Sequence, residues 1–208
     1  MKLYLIRHGE SEANITDFYH FPDTPLSEEG VKQSKTMAQR VSKLPVDFIY
    51  SSDLLRAQQT AMAISEKIGK QIELTPLLRE FRKPSKLWGK SDDYFDSKTY
   101  VKLQKENFSN PDWKWEDDES FNDLKSRATE ILKELSTRFN DKQIAVVCHG
   151  AIIKMMTAIA VLGSELTPQV FWNLWHNLWI KNTGITVLEY KYDKWTLITW
   201  NDISHFGE

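Results

Sequence analysis

Leu3-Tyr4-Leu5-Ile6-Arg7-His8-Gly9 is the stretch from which the fold of this chain is read. Four bulky apolar residues in succession, without alternation, describe a strand buried on both faces of a parallel sheet. The run stops abruptly at a cation, an imidazole and a glycine. Ligands of open α/β sheets bind beyond the carboxyl ends of the strands, so Arg7 and His8 would stand at such an edge. Arginine presents a planar fork of donors to phosphate or carboxylate. Histidine titrates near neutral pH and serves as base, nucleophile or ligand. Gly9 lets the backbone bend there and approach a ligand closely.

Working outward, composition narrows the class. A length of 208 residues suits one domain, or one domain with a large insertion. The 27 basic and 29 acidic residues leave a net charge of -2. That balance predicts no general attraction to nucleic acid or to an anionic membrane, so anion binding must be local. Cys148 is the one cysteine, which excludes an intramolecular disulfide and fits a reducing compartment. No apolar run approaches the roughly 20 residues of a membrane helix, and the opening run is too short for a secretory signal. The expected location is cytoplasmic.

The chain after Asn14 alternates. Residues 15–25 read as loop, followed by a helix from Ser27 to about Lys43 and a strand over Val46–Tyr50. Ser51-Ser52-Asp53 is expected to cap a second helix, with Ala57, Ala61, Ile64 and Ile68 on one stripe and Gly69 at its end. A short strand over Gln71–Leu74 completes a β-α-β-α-β pattern and hence a parallel sheet. Residues 82–118 break the alternation with seven aromatic residues among charges of both signs. They read as an insertion of short helical pieces, lid-like over the carboxyl end of the sheet. A helix over about 119–139, a buried strand Ile144–Cys148, a helix over 151–162 and an aromatic helix from Thr167 follow. Two closing strands, one of them antiparallel, finish the sheet. The expected architecture is a single domain over 1–208, a three-layer α/β/α sandwich on a mostly parallel sheet. The stripe Trp172, Trp175 and Trp179 is expected in the core, with a homodimer contact as the alternative.

Two buried strands end in His-Gly, at His8-Gly9 and His149-Gly150. Either alone suits a structural histidine; at equivalent edges of one parallel sheet, both imidazoles would face one crevice. Arg56 falls in the first turn of its helix, where a cation opposes the helix dipole. An anion in the crevice explains it; so does a surface pair with Asp53 or Glu80. Glu80 lies just beyond the third strand, where a carboxyl could exchange a proton with a leaving-group oxygen, or pair with Arg79 or Arg82. His20, His176 and His205 join no motif and are assigned to structure or solvent.

These segments resemble a known family. Leu5-Ile-Arg7-His8-Gly9-Glu10-Ser11-Glu12-Ala13-Asn14 resembles the signature of the histidine phosphatase superfamily, the phosphoglycerate-mutase-like proteins. Asp23–Gly30, Ser51–Thr60, Glu80, Val147–Gly150, Asn182–Thr186 and Asn201-Asp202 resemble its later segments, in order. The resemblance implies that His8 attacks phosphorus and forms a phosphohistidine. It implies that Arg7, Arg56, His149 and Asn14 hold the phosphoryl oxygens, aided by the helix N-terminus at Gly150. Glu80 would protonate the departing alcohol and then help water attack. No metal or other cofactor is implied, and the partner is a small phosphorylated metabolite.

Phe81–Gly89 does not resemble the corresponding mutase stretch, and the sequence ends soon after its last strand. Both departures favour a phosphatase over mutase-type phosphoryl transfer. A protein phosphatase is the other alternative, against which the bulky insertion argues. Arg82, Lys83, Lys86 and Lys90 either form a solvated basic face or take a second anionic group of the substrate. Arg82 and Lys83 are the substrate-binding candidates among them.

Overall fold

The computed structural model describes residues 1–16 and 18–207. Six strands form one sheet: β1 (Lys2–Arg7), β2 (Phe48–Ser52), β3 (Ile72–Thr75), β4 (Gln143–Cys148), β5 (Ile185–Lys191) and β6 (Lys194–Asp202). Their order is β3-β2-β4-β1-β5-β6. The first four run parallel, β5 is antiparallel to β1, and β6 is antiparallel to β5. The helices are α1 (Glu12–Ile15), α2 (Glu28–Val41), α3 (Leu55–Ile68), α4 (Phe95–Asn107), α5 (Phe121–Arg138), α6 (Gly150–Leu162) and α7 (Pro168–Asn177). No described helix is long and apolar enough to cross a membrane.

Successive strand residues point to opposite faces, and β1 supplies both cores. Leu3 and Leu5 join Ile144 and Val146 of β4 under α5 and α6. Tyr4 and Ile6 join Ala145 and Val147 under α2 and α3. This division is the expected sandwich, and it explains why β1 and β4 are apolar throughout.

Three local expectations change. Ser51 and Ser52 do not cap α3. They belong to β2, where they pair with Leu74 and Thr75 of β3, and Leu54 is the N-cap. The insertion holds a full helix of 13 residues, α4, rather than short pieces. Only Ser97 and Tyr100 of α4 are buried, so its exposed charges hide any stripe. Tyr100 stacks on Trp113 and Trp115 with centroids 6.3 and 5.5 Å away, which gives the insertion its own aromatic centre. The tryptophan stripe is core only in part: α7 ends at Asn177 and Trp179 is 65% exposed, Trp172 is half-buried, and Trp175 packs at the edge of the main core.

Candidate active site

β1 and β4 are hydrogen-bonded neighbours, with Arg7 in register with Cys148. The His8 N–H donates to the Cys148 carbonyl at 2.9 Å. This pairing brings the two histidines together, with ring centroids 5.0 Å apart. His8 and His149 are 2% and 0% exposed. The His8 Nδ1 lies 2.6 Å from its neighbour's carbonyl, Gly9 O. A carbonyl only accepts, so Nδ1 carries the hydrogen and Nε2 keeps the lone pair. Burial, then the nearby Arg56 and Arg7, holds the His8 pKa well below the usual histidine value. Burial, then Arg56 and His8, does the same to His149. Both rings are therefore neutral at pH 7. His149 Nε2 lies 2.9 Å from Ser52 Oγ, while its Nδ1 is buried without a hydrogen-bond partner.

Gly9 serves a different contact from the one expected. A Cβ there would lie 2.5 Å from the Gly30 carbonyl in the first turn of α2, and one on Gly30 would lie 1.9 Å from the Glu10 carbonyl. The two glycines let the turn after β1 pack directly on α2. The close approach seen here is to α2.

Arg7 and Arg56 are the site's cations. Arg7 Nη1 donates to the Ile180 carbonyl at 2.6 Å, and Arg56 Nη1 reaches the Phe21 carbonyl at 3.5 Å. The Nε atoms of both are buried without partners. Burial lowers both pKa values, that of Arg56 to about 10, with Glu80 opposing the shift. Neither guanidinium forms an ion pair with a described carboxylate, and Asp53 pairs with Arg79 instead. Two guanidiniums without a carboxylate partner, Arg56 buried and Arg7 half-buried, suit a multiply charged anion beside a sheet edge.

Glu80 does not pair with Arg79 or Arg82. Its Oε1 accepts the Phe81 N–H at 2.8 Å and the Ala151 N–H at 3.0 Å. The N-terminus of α6 thus holds this carboxylate, a favourable use of its dipole. Gly150 adjoins Glu80 and Arg7: a Cβ there would lie 3.8 Å from Glu80 Oε2 and 4.0 Å from Arg7 Nε. Glu80 occupies the Ala151 N–H, the next donor of the same helix N-terminus.

Asn14 follows the turn, and its Oδ1 accepts the Ser11 N–H and O–H at 3.0 Å each. Its Nδ2 lies 3.3 Å from His20 Nε2. His20 therefore belongs to the site, against its assignment to structure or solvent. Burial, then Arg56 and Arg7, pulls its pKa down to about 4. Only its place in the loop over the site reveals it, and no spacing pattern in the sequence marks it.

A cleft of about 810 Å³ is lined by Arg7, His8, Asn14, His20, Arg56 and Glu80. The start of the insertion forms part of its wall, through Arg82, Lys83, Trp88 and Asp92. The Lys83 amine lies 5.0 Å from the Phe81 and Tyr100 ring centroids and 5.8 Å from that of Trp175. Burial draws its pKa down to about 8. Lys86 and Lys90 do not line the cleft: Lys86 pairs with Glu116, and Lys90 lies over Tyr94.

Comparisons with known proteins identify the family. The family pattern of the histidine phosphatase superfamily (branch 1) matches residues 3–203. Phosphoglycerate mutase-like protein 4 of Arabidopsis thaliana is 28% identical, over 100% of this chain and 87% of its own. Phosphoserine phosphatase 1 of Hydrogenobacter thermophilus is also 28% identical, over 100% and 95%. A phosphoserine phosphatase of Entamoeba histolytica, crystallised as a mutant with phosphoserine, superposes with a TM-score of 0.79 at 27% identity, covering 98% of each chain. With the motif match spanning nearly its whole length, the chain belongs to the histidine phosphatase superfamily.

Proposed function

We propose that this enzyme hydrolyses small-molecule phosphomonoesters through a phosphohistidine on His8, without a metal. The class, a phosphoric monoester hydrolase, follows from the family and its phosphoserine phosphatase relatives. One observation carries the mechanism: a neutral His8 whose Nδ1–H is held by Gly9 O, beside two guanidiniums, Arg7 and Arg56, whose Nε atoms are buried without partners. Nε2 then attacks phosphorus while the P–O bond to the alcohol breaks. Arg7, Arg56, His149 and Asn14 meet the charge on the equatorial oxygens, where positioning and electrostatics supply most of the rate.

Glu80 Oε1 is occupied by two N–H donors, so Oε2 carries the proton passed to the departing alkoxide. The resulting carboxylate takes a proton from water, whose oxygen attacks the phosphohistidine and releases inorganic phosphate. The proton balance closes on Glu80.

Lys83 adds a substrate preference. Its amine sits among three rings at the cleft wall, with no described acid or carbonyl bonded to it. A carboxylate beside the phosphate ester would meet it, as in phosphorylated hydroxy or amino acids. The test is a panel of p-nitrophenyl phosphate, phosphoserine and 3-phosphoglycerate, with EDTA present and with His8→Ala as control. Turnover with phosphate release in EDTA, absent in His8→Ala, is expected. Activity that disappears with EDTA contradicts the reading, and phosphoryl exchange without phosphate release would favour mutase-type transfer.

A further inference from the structure

Arg127 of α5 uses every N–H of its guanidinium around the loop that carries Glu80. Nε and Nη2 donate to Glu119 Oε1 and Oε2 at 2.9 and 2.8 Å. Nη1 donates to the carbonyls of Leu77 and Arg79 at 2.8 and 2.7 Å. The remaining Nη2 hydrogen reaches the Glu80 carbonyl at 3.4 Å. Glu119 extends the hold past Glu80. Its Oε2 accepts the Arg82 N–H at 3.1 Å, and its own N–H donates to the Arg82 carbonyl at 3.1 Å. Residues 79–84 have no regular secondary structure. Their path is set by these contacts and by the Phe81 and Ala151 bonds to Oε1.

An ion pair largely withdrawn from water is a weak stabiliser in itself, though breaking one is costly. Here its donors span the main chain of residues 77–80 from α5, ending at the Glu80 carbonyl, while the N-terminus of α6 holds the Glu80 carboxylate. Backbone and side chain of Glu80 are thus fixed from two different helices, and Oε2 is left without a hydrogen bond to a described residue.

We propose that Arg127, braced by Glu119, is a positioning residue for the general acid, holding Glu80 so that Oε2 meets the leaving-group oxygen. The proposal rests on the role given to Glu80 above. Lysine cannot replace it fully, because one ammonium cannot span two carboxylate oxygens and three carbonyls.

The test uses leaving-group dependence, which a merely structural role would not alter. The constant kcat/KM is measured for p-nitrophenyl phosphate, whose leaving group departs without a proton, and for the alkyl phosphate cleaved fastest in the panel. Wild type, Glu80→Gln, Arg127→Met, Arg127→Lys and Glu119→Gln are compared, each with a thermal melt. Misplacing a catalytic group by about 1 Å costs on the order of 100-fold. Arg127→Met is expected to lose about that factor on the alkyl phosphate and under about tenfold on the aryl one, the pattern of Glu80→Gln. Arg127→Lys should fall between. Equal losses on both substrates overturn the positioning role, as does an unchanged alkyl rate. If Arg127→Met does not fold, Arg127→Lys and Glu119→Gln carry the same comparison: a selective alkyl loss supports the role, and equal losses or none overturn it. A Glu80→Gln enzyme without leaving-group dependence removes the acid assignment and this proposal with it. A dependence present in Glu80→Gln but missing from every Arg127 variant overturns the positioning role alone.

Discussion

Ser52 Oγ lies 2.9 Å from His149 Nε2, across the boundary between β2 and β4. The same oxygen accepts the Leu54 N–H at 3.3 Å. With its hydrogen directed to His149, the hydroxyl fixes a tautomer in which the buried Nδ1 carries the proton and can donate to a phosphoryl oxygen. Ser52→Ala should then lower kcat/KM about tenfold, by loss of an outer hydrogen bond to a site histidine. Steady-state kinetics check this, and Ser52→Thr, which keeps the hydroxyl, should retain most activity.

Lys83 predicts a pH effect confined to one substrate type. Burial lowers its pKa to about 8, so its charge is complete below that pH and lost above it. KM for a carboxylate-bearing phosphate ester should rise as pH passes 8, while KM for p-nitrophenyl phosphate should not share the step. Lys83→Met should raise KM for the first substrate at pH 7 and erase the step. A step shared by both substrates would place its origin elsewhere.

His8 and His149 predict acid sensitivity of the fold. Both pKa values are held well below the unfolded value of about 6.5, chiefly by burial. The folded state therefore binds fewer protons than the unfolded chain once pH drops below 6.5. Their contribution to stability is complete above that pH and declines as pH falls toward the lowered native values. The slope is about 1.4 kcal/mol per pH unit for each ring. Urea unfolding between pH 5 and 7.5 measures it, and His149→Phe should flatten the curve by one proton.

Gly30 predicts a packing defect that reaches the nucleophile. A methyl group there meets the Glu10 carbonyl, which is backbone and cannot swing aside. Gly30→Ala should destabilise by about 1–3 kcal/mol, the usual cost of overpacking, and should lower activity by shifting the turn that carries His8. A melt and a kinetic assay read both effects.

Much of this is legible from residues that obey one rule at a time. β1 and β4 announce themselves because Leu3–Ile6 and Ile144–Val147 are buried on both faces, so no alternation masks them. His8 and His149 stand out as ends of those strands, and Arg56 as a cation at the wrong end of a helix. The unread parts depend on partners distant in sequence. Ser52 reads as a cap because nothing local reveals that β3 claims its backbone. The use of the Ala151 N–H is unread because the Glu80 carboxylate that occupies it is 71 residues away. His20 sits in a loop placed by Asn14, and α4 is charged around most of its surface. Arg127 belongs to no motif, and only the fold shows that its donors bridge Glu119 and the carbonyls of Leu77, Arg79 and Glu80.

The central claim is the covalent intermediate on His8. Its most direct test is a rapid-quench experiment with radiolabelled p-nitrophenyl phosphate on Glu80→Gln, where the aryl group still leaves but water attack is slowed. The account predicts labelled protein that forms in the burst, survives alkali, is lost in acid, and is absent when His8→Ala is combined with it. Turnover with no labelled protein, or equal labelling without His8, would contradict it.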